Sequence, residues 1–218
     1  MLVAVSLDGK ISPPRSPGQT NPIGPTLIDE KIMEFHNSQR ANVDGIMVGL
    51  NCILLDDSKL TLREGDGKNP TRIVLDGMAE IPATARVLNN ESASIVVISE
   101  DAPQQNVEAF KAAGAEIIIS GKGKYVDLPT MLAELYDRFG IKDLLVEGGG
   151  TVHRSMIAQN LYDEIQLIIC PFVMGGSTSI TPVERQAFWP QETIPKYRLH
   201  HSKVIGDYLY VSYKPDNC

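Results

Sequence analysis

The sequence predicts an α/β fold with three layers: a mostly parallel central sheet, helices on both faces, and a C-terminal antiparallel hairpin. Two observations carry that expectation. Short, continuous apolar runs alternate with amphipathic helical stretches through the middle of the chain, the mark of parallel strands covered on both sides. The last stretch differs: two alternating runs flank a tight Ile205-Gly206-Asp207 turn, which reads as a hairpin.

In chain order, Leu2 to Ser6 reads as a short strand. A Pro-, Gly- and Ser-rich loop follows from Asp8 to Pro25. Ile28, Ile32 and Phe35 then share one helical face, with Thr26 and Asp29 as a capping signal. Gly45 to Gly49 reads as a buried strand and Glu64 to Pro70 as a polar turn. Strands are expected at Arg72 to Leu75, Ala93 to Ile98, Glu116 to Ile119, Lys142 to Val146 and Glu164 to Cys170. Helices are expected at Gln104 to Ala113, Leu128 to Phe139 and Thr151 to Asn160. The hairpin strands are Tyr197 to Lys203 and Tyr208 to Tyr213. No repeat or linker interrupts the 218 residues, so a single domain is expected.

Composition narrows the function. The net charge is −7 and the basic residues are scattered, so no nucleic-acid partner is expected. No run reaches the ~20 apolar residues of a membrane helix, and Asp8 cuts the apolar start short of a signal peptide. A soluble cytoplasmic protein is expected. Cys52, Cys170 and Cys218 form no C-x-x-C pair and read as idle thiols in a reducing compartment. No metal site is expected: His36, His153, His200 and His201 have no ligand spacing, and surface placement is expected for all four.

The strongest local feature is Val146-Glu147-Gly148-Gly149-Gly150-Thr151, between a strand and a helix. Glycines let a backbone approach a ligand closely, and the helix start offers unpaired N–H groups to a phosphate. Thr151 can cap that helix or donate to an anion. The alternative is a tight turn with no ligand. Glu147 lies at the carboxyl edge of a strand, where ligands of such sheets sit; it either binds a polar substrate or caps backbone donors. In the front half, Asp8-Gly9 is a generic turn signal. Arg40 is either a surface arginine at a helix end or an anion ligand. Asp56 and Asp57 are helix-end residues or a carboxylate site. Arg63 has the character of a phosphate-gripping residue.

Taken together, Ala4-Val5-Ser6-Leu7-Asp8-Gly9-Lys10, Arg40-Ala41, Asp44 to Gly49, Leu55-Asp56-Asp57, Leu60 to Arg63 and Pro70 to Asp76 resemble the pyrimidine reductases of riboflavin biosynthesis. Val146 to Gly149, Leu161 to Glu164 and Pro171 to Gly176 extend the resemblance over nearly the whole chain. It implies a dihydrofolate-reductase-like fold, a homodimer, and a small phosphorylated pyrimidine as substrate. It further implies NADPH as cofactor. Hydride is then transferred to C1′ of a ribosylamino group to give ribitylamino. By position, Arg40, Leu60, Arg63 and Glu147 match substrate-binding residues. Ala4, Cys52, Asp56, Gly77 and Gly149, Gly150, Thr151 and Val152 match cofactor-binding residues, and Val126 lines the adenine slot. Asp56 and Glu147 are the candidate catalytic residues, Asp56 as a proton relay.

No H-x-E … P-C-x-x-C signature of a deaminase is present, so a stand-alone reductase of 2,5-diamino-6-ribosylamino-4(3H)-pyrimidinone 5′-phosphate is favoured. The deaminated uracil analogue, a pterin or dihydrofolate-like substrate, and a non-enzymatic nucleotide-binding role are the alternatives.

Three positions depart from the family pattern. Leu2 stands where a Lys or Asn is usual, and Cys52 where Thr is common. Gly77 and Glu80 replace a Ser and an Arg suited to a 2′-phosphate. Losing one charge-assisted bond, about 1.5–3 kcal/mol, predicts relaxed NADPH preference or a preference for NADH. The alternative is that Glu80 points away and Arg72 or Arg86 supplies the charge.

Overall fold

A computed structural model describes residues 1–19, 21, 23–24, 27–63 and 67–216. The expected cap on Thr26, part of the turn at Glu64 to Pro70, and Cys218 lie outside the described residues. The elements in chain order are β1 (Leu2–Val5), α1 (Glu30–Ala41), β2 (Gly45–Gly49), α2 (Leu50–Asp56), β3 (Thr71–Leu75), β4 (Ser94–Ile98), α3 (Gln104–Ala112), β5 (Glu116–Ile119), α4 (Leu128–Phe139), β6 (Leu144–Gly148), α5 (Gly150–Ala158), β7 (Ile165–Ile169), β8 (Tyr197–Ile205) and β9 (Tyr208–Pro215). Single 3-10 turns at Arg86–Leu88 and Gln191–Thr193 complete the list. The chain divides into two compact units, residues 1–33 with 147–218, and residues 34–146.

In the 34–146 unit, the sheet order is β5-β4-β3-β2-β6. Strands β2 to β5 pair parallel, with Val48 beside Val74, Val74 beside Val96 and Val96 beside Ile117. Strands β2 and β4 are buried at every position, which explains their unbroken apolar sequence. Ile46, Val48, Val74, Val96 and Ile98 pack with Ile53 of α2 and with Val107 and Phe110 of α3. Each such side chain contributes about 1.5–3 kcal/mol by leaving water. Helix α4 starts where the Asp127 side chain accepts from the Thr130 amide at 2.9 Å. It stops at Gly140, whose φ of 65° is the left-handed cap that a glycine adopts freely.

The other unit holds a four-stranded sheet in the order β1-β7-β9-β8. Strand β7 takes β1 parallel on one side and β9 antiparallel on the other. The hairpin β8–β9 therefore extends this sheet and not the five-stranded parallel one. Strand β8 forms its outer edge and is exposed from Arg198 to Val204.

The expected strand at Lys142 to Val146 begins two residues later. The Lys142 and Asp143 amides both donate to Asp44 Oδ2, at 2.9 and 3.0 Å, which holds them in a turn and delays β6 to Leu144. Cys170, just past β7, is buried; its thiol donates to the Ile168 carbonyl at 3.6 Å, and burial pushes it up to about 11. Cys170 forms no disulfide. Among the described residues, no helix is long and apolar enough to cross a membrane, and no three His, Cys, Asp or Glu side chains gather as a metal site.

Candidate active site

Three of the expected substrate residues lie in the 34–146 unit. Arg40, at the last turn of α1, is buried and is not the surface residue of the alternative reading. Its Nη1 donates to the Thr61 carbonyl at 2.9 Å, which draws the end of α1 onto the turn carrying Leu60. Leu60 is buried with φ +56°, a left-handed conformation that costs a branched side chain energy and is held by its surroundings. Arg63 is exposed, and its amide donates to Asn37 Oδ1 of α1 at 2.8 Å. The structure thus ties the stretch carrying Leu60 and Arg63 to the end of α1 that carries Arg40.

A second group gathers at the carboxyl ends of the parallel strands in this unit. Cys52 is half-buried in the first turn of α2, whose N-cap Gly49 brings no side-chain cap. Asp56 is the exposed last residue of α2. Asp57 is a turn residue with φ 42°, and its Oδ1 accepts from the Arg86 amide at 2.8 Å. Gly77 follows β3. A Cβ there would lie 2.5 Å from the Lys124 carbonyl oxygen, so only glycine lets residues 124–125 pack against it. Val126 is the next residue of that loop.

Asp76 sets the Gly77 turn. Its buried Oδ2 accepts from the Ile81 amide at 2.8 Å, and burial raises its carboxyl above the usual range. Glu80 is exposed. Arg72 cannot supply the charge expected near Gly77, because its side chain is fully buried toward the start of β4. There Nη1 donates to Asn89 Oδ1 at 2.7 Å, and Nη2 donates to the Asn89 carbonyl at 2.5 Å and to the Ser92 carbonyl. Arg86 is exposed.

In the other unit, Ala4 is half-buried on β1 beside Ile168. Glu147 and Gly148 close β6, and the Gly148–Gly149 peptide is cis. Helix α5 takes Gly149 as its N-cap with no side-chain cap, so Thr151 does not cap it as the sequence suggested. Instead Thr151 Oγ1 accepts from Arg185 Nε at 3.1 Å. Gly150 is required by protein packing: a Cβ would meet Glu184 Cγ at 2.5 Å and the Thr181 carbonyl oxygen at 2.8 Å. Val152 is buried.

The surface expectation fails for His153, which is fully buried one turn into α5. Its Nδ1 lies 2.7 Å from the Tyr162 hydroxyl, its Nε2 has no hydrogen-bond partner, and burial lowers the ring to about 3. The ring is neutral at working pH. Sequence reading also missed Asn37 and Asp8. A polar residue one turn before Arg40 was the signal for the first. In the sequence Asp8 reads as a turn residue, and in the structure both its oxygens accept backbone amides from residues 174 and 175.

A family model described as the RibD C-terminal domain matches residues 1–211. A protein of Aquifex aeolicus named 2,5-diamino-6-ribosylamino-4(3H)-pyrimidinone 5′-phosphate reductase is 37% identical over 214 residues, covering 98% of this chain and 94% of that protein. Among solved structures, RibD of Acinetobacter baumannii aligns with a TM-score of 0.79 at 19% identity over 99% of this chain; this chain spans 57% of that longer protein. Dihydrofolate reductase of Enterococcus faecalis aligns at 0.52 with 12% identity over 99% of this chain and 95% of that one. The fold is dihydrofolate-reductase-like, and the chain belongs to the RibD C-terminal domain family.

Proposed function

We propose that this chain is a cytoplasmic NAD(P)H-dependent reductase, acting as one reductase domain. Its reaction converts the ribosylamino group of a pyrimidine 5′-phosphate to ribitylamino, with 2,5-diamino-6-ribosylamino-4(3H)-pyrimidinone 5′-phosphate as the favoured substrate. The observation that carries this reading is that the stretch bearing Arg63 is fastened to α1 by Arg40 and Asn37. It occurs in a chain whose relative over 98% of its length is named for a pyrimidine 5′-phosphate.

In the reaction, the sugar ring opens to an imine, hydride adds to C1′ and a proton adds to the nitrogen. A bound dihydronicotinamide supplies the hydride. The protein contributes position and charge. Arg63 with Arg40 grips the 5′-phosphate, and Leu60 packs on the substrate. Glu147 accepts hydrogen bonds from the pyrimidine or ribose. Asp56 relays the proton.

The chain's donors fit a dinucleotide cofactor. Helix α5 begins on a glycine N-cap with no side chain capping it, and a glycine-lined helix start suits a diphosphate. Gly149, Gly150, Thr151 and Val152 bind there, with Ala4, Cys52 and Asp56 toward the nicotinamide and Gly77 and Val126 toward the adenosine. With Glu80 exposed and Arg72 engaged elsewhere, weak discrimination between NADPH and NADH is expected. Strand β8, open along its edge, is the surface through which a homodimer pairs.

The test is absorbance loss at 340 nm with the diaminopyrimidinone phosphate, using NADPH and NADH in parallel. Turnover is expected with both. Arg63→Ala is expected to raise the substrate KM at least ~10-fold, the loss of one charged hydrogen-bond partner. Oxidation only with the deaminated analogue, or only with an unphosphorylated pterin, would replace the substrate assignment.

A further inference from the structure

Residues 171–186 form a strap from the end of β7 to the first turn of α5. One end is fastened to the loop after β1. The Leu7 amide donates to the Phe172 carbonyl at 2.8 Å. Asp8 Oδ1 accepts from the Met174 amide at 2.9 Å and from Ser6 Oγ at 2.6 Å, and Oδ2 accepts from the Gly175 amide at 2.8 Å. Further along, the Ile11 amide donates to the Ile180 carbonyl at 2.9 Å, and the Ile180 amide to the Ser12 carbonyl at 2.8 Å. The far end lies on α5. The Glu184 amide donates to the Gly150 carbonyl at 3.2 Å, Arg185 Nε to Thr151 Oγ1 at 3.1 Å, and Arg154 Nε to the Gln186 carbonyl at 2.8 Å. Thr181 and Glu184 fill the space that a Cβ on Gly150 would need.

We propose that Asp8 is a positioning residue for the first turn of α5: its carboxylate clamps the Met174 and Gly175 amides and so seats the strap against Gly150 and Thr151. The proposal rests on the reading of α5 as the diphosphate end of the cofactor site. Two adjacent amides converging on one acceptor make a site for an anion. Gly175 and Gly176 supply the left-handed backbone of that turn, with φ 68° and 80°. An isosteric amide does not replace the carboxylate, because it turns an N–H toward one of two N–H donors. The hydrogen bond from Ser6, followed by that from Met174, holds the Asp8 carboxyl down at about 2, so the clamp stays charged at any working pH.

The test uses the full chain with Asp8→Asn, Asp8→Glu and Ser6→Ala. It reads hydrogen exchange at residues 150–152 and 171–186, the Kd of NADPH and NADH by nucleotide fluorescence, and KM against kcat. Asp8→Asn is expected to speed exchange at both segments and raise the cofactor Kd about tenfold, with the pyrimidine KM within about twofold of the parent, as for coupling through one packed element. Asp8→Glu keeps the charge and recovers part of the loss, and Ser6→Ala gives a smaller effect. Faster exchange confined to 171–176 with an unchanged cofactor Kd overturns the proposal. So does a parallel rise of Kd and pyrimidine KM with a lowered Tm, which marks a general loss of structure. If the parent binds neither nucleotide, the cofactor reading fails by itself, and exchange at 150–152 in Asp8→Asn decides the proposal.

Discussion

The two compact units are held together by different means. In the 34–146 unit, β2 to β5 pair with the strand next in sequence, and only β6 returns from far along the chain, to lie beside β2. In the other unit, β1 pairs with β7 more than 160 residues later, so Leu2 lies beside Gln166, and Asp8 reaches Met174 across 166 positions. The first kind of order is written in apolar periodicity. The second depends on a few polar side chains whose partners are remote, and it is correspondingly exposed to pH and to single substitutions.

The sharpest test of that contrast is acid. His153 is held at about 3, against 6.5 in an unfolded chain. Between those values the unfolded chain binds the extra proton, so stability is complete above pH 6.5 and is lost as pH falls toward 3, by about 1.4 kcal/mol per unit. Urea unfolding at pH 7, 6, 5 and 4 is expected to show this slope, and His153→Gln to flatten it. An unchanged slope in the variant would move the acid sensitivity off His153. Next in size is Arg72→Met, which strips three protein acceptors of their buried cationic donor; a loss of about 3 kcal/mol is expected by chemical denaturation. A loss below 1 kcal/mol would mean that this unit does not rely on its polar plug.

The remaining two predictions compare a glycine from each unit. Gly77→Ala drives a methyl into the Lys124 backbone, and should cost about 2 kcal/mol and weaken cofactor binding. Gly150→Ala meets Glu184 at Cγ and the Thr181 carbonyl oxygen at 2.8 Å, a longer backbone approach than at Gly77, and should cost about 1 kcal/mol. Differential scanning calorimetry of the pair would rank them. The reverse order would show that the strap is the stiffer of the two neighbours.

What was legible follows the same division. The bounds of β2, β5 and α4 match the sequence expectation residue for residue, since apolar runs and the Asp127 and Gly140 caps are local signals. The existence of two sheets was not legible, because nothing near β7 states that β1 will lie beside it. The burial of His153 depends on Tyr162, nine residues on, and periodicity alone does not distinguish a buried imidazole from an exposed one. Arg40 and Arg63 were named from the residues that resemble the family. Their clasp through Thr61 and Asn37 involves side chains that no motif singled out.

Cys170 sits where β7 gives way to the strap, wholly out of reach of solvent and with its thiolate strongly disfavoured. A thiol reagent therefore meets it only when this part of the chain opens. The rate at which Cys170 is modified is a built-in clock for that opening, kept by an atom that takes no part in the chemistry.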